Sequence, residues 1–330
     1  MTQAIQRRGK ALRPSAFDVR RASLSAGPAS QIAGLVKAVG RRSFRVLNES
    51  RHQLQLAKRS VGFNLRNSLL RGRPLTAHVG EQTFLLVAEG AVATDIWCNR
   101  YVEMSELEFI ISVLRPGMTF LDVGANAGLY SIPAAKKVQH GKVYAFEPSA
   151  WTYELLTKNA RLNKVGNLEA ARSAVGDYTG EATLQVNVPG KDGLNTIGKL
   201  VHEDSEIAGT EKVPITTLDD FLRQHAVSHV DVMKVDVEGA ELMVFRGAKG
   251  LLAKSDAPLI LYESGVLTKG LGYHPVETMW LLEQCGYSFF SIDSSGGRIA
   301  KLTGMHSCDT MLIAAKPTHV FYPLLQELAR

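Results

Sequence analysis

Cysteine is nearly absent: Cys98, Cys285 and Cys308 are the only three in 330 residues. They are widely spaced and odd in number. That excludes a disulfide framework and gives no metal-ligand spacing, and it fits a reducing compartment, so a cytoplasmic location is expected. Long apolar runs are missing too. No stretch approaches the roughly 20 apolar residues that a membrane-spanning helix needs, and the N-terminus lacks the continuous apolar core of a secretory signal. Acidic residues are missing from one place only. Residues 1–75 hold sixteen Lys and Arg against Asp18 and Glu49, a balance of +14, whereas the rest of the chain carries twenty-two against thirty acids, a balance of −8. The net charge of +6 therefore belongs to an arm, and no specific nucleic-acid partner is expected of a mildly acidic body.

What is present divides at about residue 75. Residues 1–30 mix Arg, Ser, Ala, Gly and Pro without apolar periodicity and read as disordered. Within residues 31–72, Ile32, Leu35, Val36 and Val39 fall at helical spacing beside Lys37, Arg41, Arg42 and Arg45, which suits one or two basic helices. Peripheral contact with a membrane surface or a polyanion is one reading of this N-terminal extension, a solvated tail another, a transit peptide a third. Residues 76–330 read as one catalytic domain, with an alternation of strand and helix. Strands are expected at Thr83–Ala88, Thr119–Val123, Lys142–Phe146, Leu168–Ala174, Thr183–Val188, Val230–Val235, Ala257–Tyr262, Tyr287–Ile292 and Thr310–Ala315. Helices are expected at Ser105–Val113, from about Leu129, at Trp151–Asn163, Thr217–Gln224, Glu238–Lys249 and His274–Cys285. An irregular polar stretch runs to about Thr210. This rhythm predicts an α/β fold, a mostly parallel sheet with helices on both faces. The last two strands have no long helix between them and suit an antiparallel pair at one edge.

The chemistry concentrates at strand ends. Asp122-Val-Gly124-Ala-Asn126-Ala-Gly128 leads an apolar strand through a glycine turn into a helix, and ligands of such sheets bind beside the carboxyl ends of strands. Gly124 is expected to let a ligand approach the backbone, and Gly128 to close the turn. A dinucleotide fingerprint needs a second glycine where Asn126 stands. A nucleoside ligand without a diphosphate is therefore favoured over a nicotinamide dinucleotide, and S-adenosylmethionine is such a ligand, with an ammonium that Asp122 could meet. Glu147 ends the next strand, where a carboxylate accepts from ribose hydroxyls. Asp177, after Ala174-Val-Gly176, is placed to accept from the adenine amine, or is an ordinary turn aspartate. Lys234, Asp236 and Glu238 alternate at the end of a further strand, and either face the site or form a structural ion pair.

Asp-Val-Gly-Ala-Asn-Ala-Gly-Leu-Tyr-Ser from Asp122, Phe146-Glu-Pro-Ser149, Asn159-Ala-Arg-Leu-Asn163 and Lys234-Val-Asp-Val-Glu-Gly-Ala-Glu241 together resemble the FkbM-type methyltransferases over roughly residues 95–315. The resemblance implies a class I, Rossmann-like methyltransferase fold: a seven-stranded sheet, six strands parallel and one antiparallel. It implies S-adenosylmethionine as donor and a hydroxyl as the usual acceptor. By position, Asp122, Gly124, Asn126 and Gly128 correspond to the donor loop, Glu147 to the ribose acid and Asp177 to the adenine-side acid. Lys234, Asp236 and Glu238 correspond to the signature beside the transferred methyl. The basic extension corresponds to nothing in the family.

Asp236 is the first candidate for a general base toward an acceptor hydroxyl and Glu263 the second, with Lys234 orienting one of them or lowering the acceptor's pKa. His306 is a minor candidate. Asp236, Glu238 and Glu263 could instead gather a hard cation such as Mg²⁺, although no metal ligand set is assigned. The stretches from about Gly190 to Thr210 and from Ser264 to His274 are expected to shape the acceptor pocket. Their polar composition suits a sugar, glycan or polyketide-like hydroxyl. N-methylation and a nicotinamide-dependent oxidoreductase are the alternatives.

Overall fold

The computed structural model describes residues 75–86, 104–188, 192–198, 206–293, 298–304 and 310–329. The chain divides into two units, Met1–Leu69 and Leu70–Arg330, and every described residue belongs to the second. The readings made for the basic extension, for Cys98 and Cys308, and for His306 lie outside the described residues.

The described chain opens with a hairpin, β1 (Leu75–Val79) and β2 (Gln82–Leu86), which forms a two-stranded sheet of its own. After α1 (Met104–Val113) the alternation begins: β3 (Thr119–Val123), α2 (Ser131–Val138), β4 (Lys142–Phe146), α3 (Ala150–Leu162) and β5 (Leu168–Ala171). A short β6 (Ala174–Val175) and a long pair, β7 (Gly180–Asn187) and β8 (Ile207–Thr216), make a separate three-stranded sheet. The main alternation then resumes with α4 (Leu218–Gln224), β9 (Val232–Val235), α5 (Glu241–Arg246), α6 (Lys249–Ala253) and β10 (Leu259–Ser264). A 3₁₀ turn at Val266–Leu271, α7 (Pro275–Gln284), β11 (Ser288–Ile292), β12 (Ile299–Lys301), β13 (Thr310–Ala315) and α8 (Tyr322–Leu328) complete it.

The main sheet has the order β12-β11-β13-β10-β9-β3-β4-β5. From β10 to β5 all pairs are parallel, and these strands read as buried runs, as expected of a sheet covered on both faces. The sheet is the expected class, with one strand more than the seven anticipated. The antiparallel β13 lies between β10 and β11, and three-residue β12 takes the edge beside β11. Alternation sorts the strand residues into two cores. Leu121, Val123, Tyr144, Phe146, Met233, Val235, Ile260 and Tyr262 pack with α4, α5, α6 and α7. Phe120, Val143, Val232, Leu259 and Leu261 pack with α1, α2 and α8.

Two expectations are corrected. The stretch to Thr210 is not irregular throughout: β8 begins at Ile207 and pairs with β7 over eight positions. Only Val213 and Ile215 in it are fully buried and Pro214 lies within it, so local pattern argued against a strand, and pairing with β7 supplies what the pattern lacks. The helix expected over Glu238–Lys249 begins late, at Glu241, because Glu238 and Gly239 take left-handed φ values of 55° and 101°. It also breaks in two at Gly247. Among the described residues, no helix is long and apolar enough to cross a membrane.

Gly247 marks a close approach of two segments: a Cβ there would stand 1.8 Å from the carbonyl oxygen of Gly176. Gly247→Ala is therefore expected to lower the free energy of unfolding in urea by about 1–3 kcal/mol through forced backbone shifts. Gly166→Ala, where a Cβ would meet nothing within 4 Å, should change it by less than about 0.5 kcal/mol.

Candidate active site

The chain fills β3, β4 and β5 in one direction across the sheet, then crosses back to β9 and β10. The switch point lies between β3 and β9, where a crevice opens at the carboxyl ends. The loop after β3 enters that crevice. Gly124 and Ala125 both donate backbone N–H bonds to the Phe146 carbonyl, at 3.0 and 2.9 Å. Gly124 has φ +84°, and a Cβ on it would lie 1.8 Å from the carbonyl oxygen of Asp236. Its bareness thus serves contact with the loop after β9, where a ligand's approach was expected. Asn126 takes φ 47°, a left-handed conformation that asparagine tolerates, and its Oδ1 accepts from Ala127 N at 2.7 Å. Asparagine thus meets the backbone demand that the missing glycine would have met. Gly128, φ +91°, packs against Leu156 and Ile132.

Glu147 follows β4 and is held from three sides. Oε2 accepts from Asn126 N at 2.9 Å, and Oε1 accepts from Ser149 N at 3.0 Å and from the Thr152 hydroxyl at 2.6 Å. It lines the cavity, where a carboxylate is an acceptor for a ligand hydroxyl. Asp122 is fully buried beneath the loop. Its Oδ2 accepts from the Ser131 hydroxyl, its Oδ1 is left without a hydrogen-bond partner, and it does not line the cavity. Burial raises its pKa, against the opposing charge of Lys234 and the Ser131 bond. Asp177 is exposed and stands outside the cavity lining, whereas Ser173, Ala174 and Val175 just before it line the cavity.

The loop after β9 supplies the charged wall. Register places Lys234 beside Asp122 across the β3–β9 pair, and only 3% of Lys234 is exposed. Its Nζ donates to Asp236 Oδ2 at 2.9 Å and stands 4.8 Å from the centre of the Tyr130 ring. Asp236, Glu238 and Glu263 bring carboxylate oxygens within 4.8 Å of one another. Burial and the neighbouring Glu263 and Asp236 carboxylates push the Glu238 pKa well up. Behind the loop, Glu241 is 1% exposed and its Oε1 accepts from the N–H groups of Val237 and Gly239, both at 3.1 Å. Burial raises its pKa from 4.5 to about 7.

Most of the remaining wall falls in the stretch from about Gly190 that was expected to shape an acceptor pocket, and Leu184 in β7 lies outside it. Leu184, Gly193, Asn195, Thr196 and Ile197 line the same cavity as the β3 loop. They are held by Asn187, whose side-chain amide donates to Leu194 O at 2.8 Å and accepts from Glu206 N at 2.9 Å, and by a backbone bridge between Gln185 and Thr196. A Cβ on Gly198 would touch Leu271 Cγ at 2.8 Å. The two stretches expected to shape an acceptor pocket therefore meet, and the first also walls the crevice.

Residues 122–289, just over half of the chain, match the Methyltransferase FkbM domain. The chain belongs to the FkbM methyltransferase family. It is 32% identical over 152 residues to methyltransferase sdnD of Sordaria araneosa, covering 38% of this chain and 59% of that one. It is 28% identical over 160 residues to the 31-O-demethyl-FK506 methyltransferase FkbM of Streptomyces tacrolimicus, covering 41% and 61%. It is 25% identical over 174 residues to the hexuronic acid methyltransferase AglP of Haloferax volcanii, covering 52% and 68%. The likeness thus spans less than two thirds of the Sordaria and Streptomyces proteins. Among solved structures, TYW2 of M. jannaschii in complex with AdoMet aligns with a TM-score of 0.38 and 15% identity over 74% of this chain and 85% of that one.

In this FkbM-family methyltransferase the donor is S-adenosylmethionine, and the nicotinamide reading is set aside. The residues present suit that donor. Among the described residues, Glu147, Asp236 and Glu238 line the cavity with one ammonium, Lys234, which is paired with Asp236. A diphosphate would face carboxylates there, whereas a sulfonium cation meets them favourably.

The acid behind the loop gives a pH signature. Folded, Glu241 stays protonated up to about pH 7; unfolded, it ionises near 4.5. Stability is therefore lost as pH rises from about 4.5 to about 7, by roughly 3 kcal/mol at 1.36 kcal/mol per pKa unit. Glu241→Gln keeps an acceptor for both backbone N–H groups and carries no charge. Its melting temperature should exceed that of the parent at pH 8, with the difference shrinking toward pH 5. An equal difference at both pH values would mean that Glu241 is ionised throughout.

Proposed function

We propose that the protein transfers the methyl group of S-adenosylmethionine to a hydroxyl oxygen of a small polar acceptor, a sugar or polyketide-like alcohol. The observation that carries this reading is the position of Asp236. Its backbone touches the β3 loop at Gly124, while its carboxylate is oriented by Lys234 at 2.9 Å on the wall of the same cavity. The sulfonium supplies a methyl already activated by positive charge. The chain has to hold the acceptor oxygen in line and take its proton, and positioning of this kind can supply several kcal/mol. Asp236 would accept the proton, Lys234 keeping it aimed, with Glu263 beside it. Glu147, Gly124 and Asn126 would hold the donor from the cavity wall. Asp122, buried beneath the loop, does not line the cavity, contrary to the expectation that it meets the donor's ammonium, and with Gly128 it would shape the loop from below. Asp177, exposed and outside the cavity lining, is given no part in holding the donor.

The acidic wall favours oxygen over nitrogen as acceptor. An amine placed among Asp236, Glu238 and Glu263 would be held as its ammonium, which has no free pair to attack with. A relative described as a 31-O-demethyl-FK506 methyltransferase agrees with an oxygen acceptor, and one described as a hexuronic acid methyltransferase with a polar sugar-like one. One observation favours a second reading of the wall: the three carboxylates stand close enough to hold a hard divalent cation, which would bind two oxygens of a diol and lower the pKa of one.

Glu147→Ala should weaken S-adenosylmethionine binding about ten- to a hundredfold by calorimetry, the worth of charged hydrogen bonds at about 1.4 kcal/mol per decade. With labelled donor and a panel of sugars and polyketide-like alcohols read by mass spectrometry, Asp236→Asn should bind donor as the parent does and lose turnover by about 10²–10⁴. A fully active Asp236→Asn removes it as the base. Activity lost in EDTA and restored by Mg²⁺ would establish the cation, and activity indifferent to EDTA would remove it.

A further inference from the structure

Two asparagines four residues apart at the end of α3, Asn159 within it and Asn163 at its C-cap, treat the hairpin as a strand treats its neighbour. Asn159 Oδ1 accepts from Leu85 N at 2.7 Å, and its Nδ2 donates to Leu85 O at 2.9 Å. Asn163 repeats the pattern on Thr83, accepting from its N–H at 3.0 Å and donating to its carbonyl at 2.7 Å. The match is geometric. Four helical residues rise roughly 6 Å and two strand residues roughly 6.8 Å, so side chains at positions 159 and 163 meet alternate peptide groups of β2. Thr83 and Leu85 present the outer edge of that strand, and the two amides cover it.

Asn159 does one thing that Asn163 does not. The second N–H of its amide donates to the carbonyl of Ala127 at 2.9 Å. Asn159 is fully buried, and the Leu85 and Ala127 bonds use both of its donors. Ala127 sits between Asn126 and Gly128, both left-handed. The loop is thus pinned on one side by Glu147 at Asn126 N and on the other by Asn159 at Ala127 O.

We infer that Asn159 is a positioning residue for methyl-donor binding, acting through the Ala127 carbonyl to hold the β3 loop in its receptive shape and tying that loop to the β1–β2 hairpin. This rests on the assignment of the β3 loop as the donor site. Asn163 is the internal control, since it clamps the same hairpin without touching the loop.

The test compares Asn159→Ala, Asn163→Ala and Glu147→Ala in the full chain, reading melting temperature and S-adenosylmethionine affinity by calorimetry. Asn159→Ala is expected to bind donor about tenfold more weakly. Asn163→Ala, with a comparable fall in melting temperature, should stay within twofold of the parent. If Asn159→Ala proves too unstable, Asn159→Ser leaves room for a water at Leu85 and should show the same loss. Donor affinity unchanged in the Asn159 variants, or weakened alike in both asparagine variants, overturns the inference. Unchanged affinity in Glu147→Ala would instead overturn the donor-site assignment itself, so the two failures are distinct.

Discussion

The site depends on one close contact between two loops. At the switch point of the sheet, the turn after β3 and the turn after β9 touch backbone to backbone, with no room for even a methyl group on Gly124 against the Asp236 carbonyl. That contact sets how near the donor loop can lie to the charged wall. Once the two backbones meet, Asp236 stands beside the donor cavity, and Lys234, one strand over from Asp122, is positioned to hold it. A larger residue at position 124 would push the β3 loop away from Asp236, and in the proposed reaction methyl transfer is steeply sensitive to such misplacement.

Around this contact the protein buries more carboxylates than it neutralises. Asp122, Glu238 and Glu241 are all pushed toward their protonated forms by burial, Glu238 also by neighbouring carboxylates, while among the described residues Lys234 is the one ammonium on the cavity wall. Desolvation of unpaired carboxylates is costly, so this excess is a stability sacrifice kept at the site. It suits a cavity that receives a cation and an acceptor that must give up a proton. The second shared feature is that the loops are held by side-chain hydrogen bonds from outside themselves. Glu147, Asn159 and Glu241 each bind backbone groups of a loop, because left-handed residues at 126, 128, 238 and 239 prevent these segments from satisfying themselves as helix or strand.

Much of this was legible in the sequence. The parallel strands announced themselves as apolar runs ending in Asp122, Glu147 and Lys234, and the lack of a second glycine turned the β3 loop away from dinucleotides. Other features were not legible, and each has a physical cause. β8 carries only two fully buried apolar residues and a proline, so its identity comes from its partner strand. The start of α5 moved to Glu241 because a left-handed turn at 238–239 is set by contacts around Glu241, and no local propensity reports it. Asp177 appeared to be a ligand-facing acid because it follows a strand; that strand, β6, belongs to the separate three-stranded sheet, which carries Asp177 out of the cavity lining.

The sequence by itself determined the alternating α/β architecture, the strand ends that bear charge and the class of ligand those ends accept, because periodicity and residue chemistry are local properties. Only the tertiary structure decided which groups meet: that Gly124 makes room for Asp236, that Asp236, Glu238 and Glu263 converge, that residues 193–197 close the cavity, and that Asn159 reaches from α3 to both Leu85 and Ala127. The contacts of Gly124 with Asp236, of Asp236 with Glu263, and of Asn159 with Leu85 and Ala127 join residues 27 to 112 positions apart. They depend on strand order, register and the shape of left-handed turns, which no short stretch of sequence encodes.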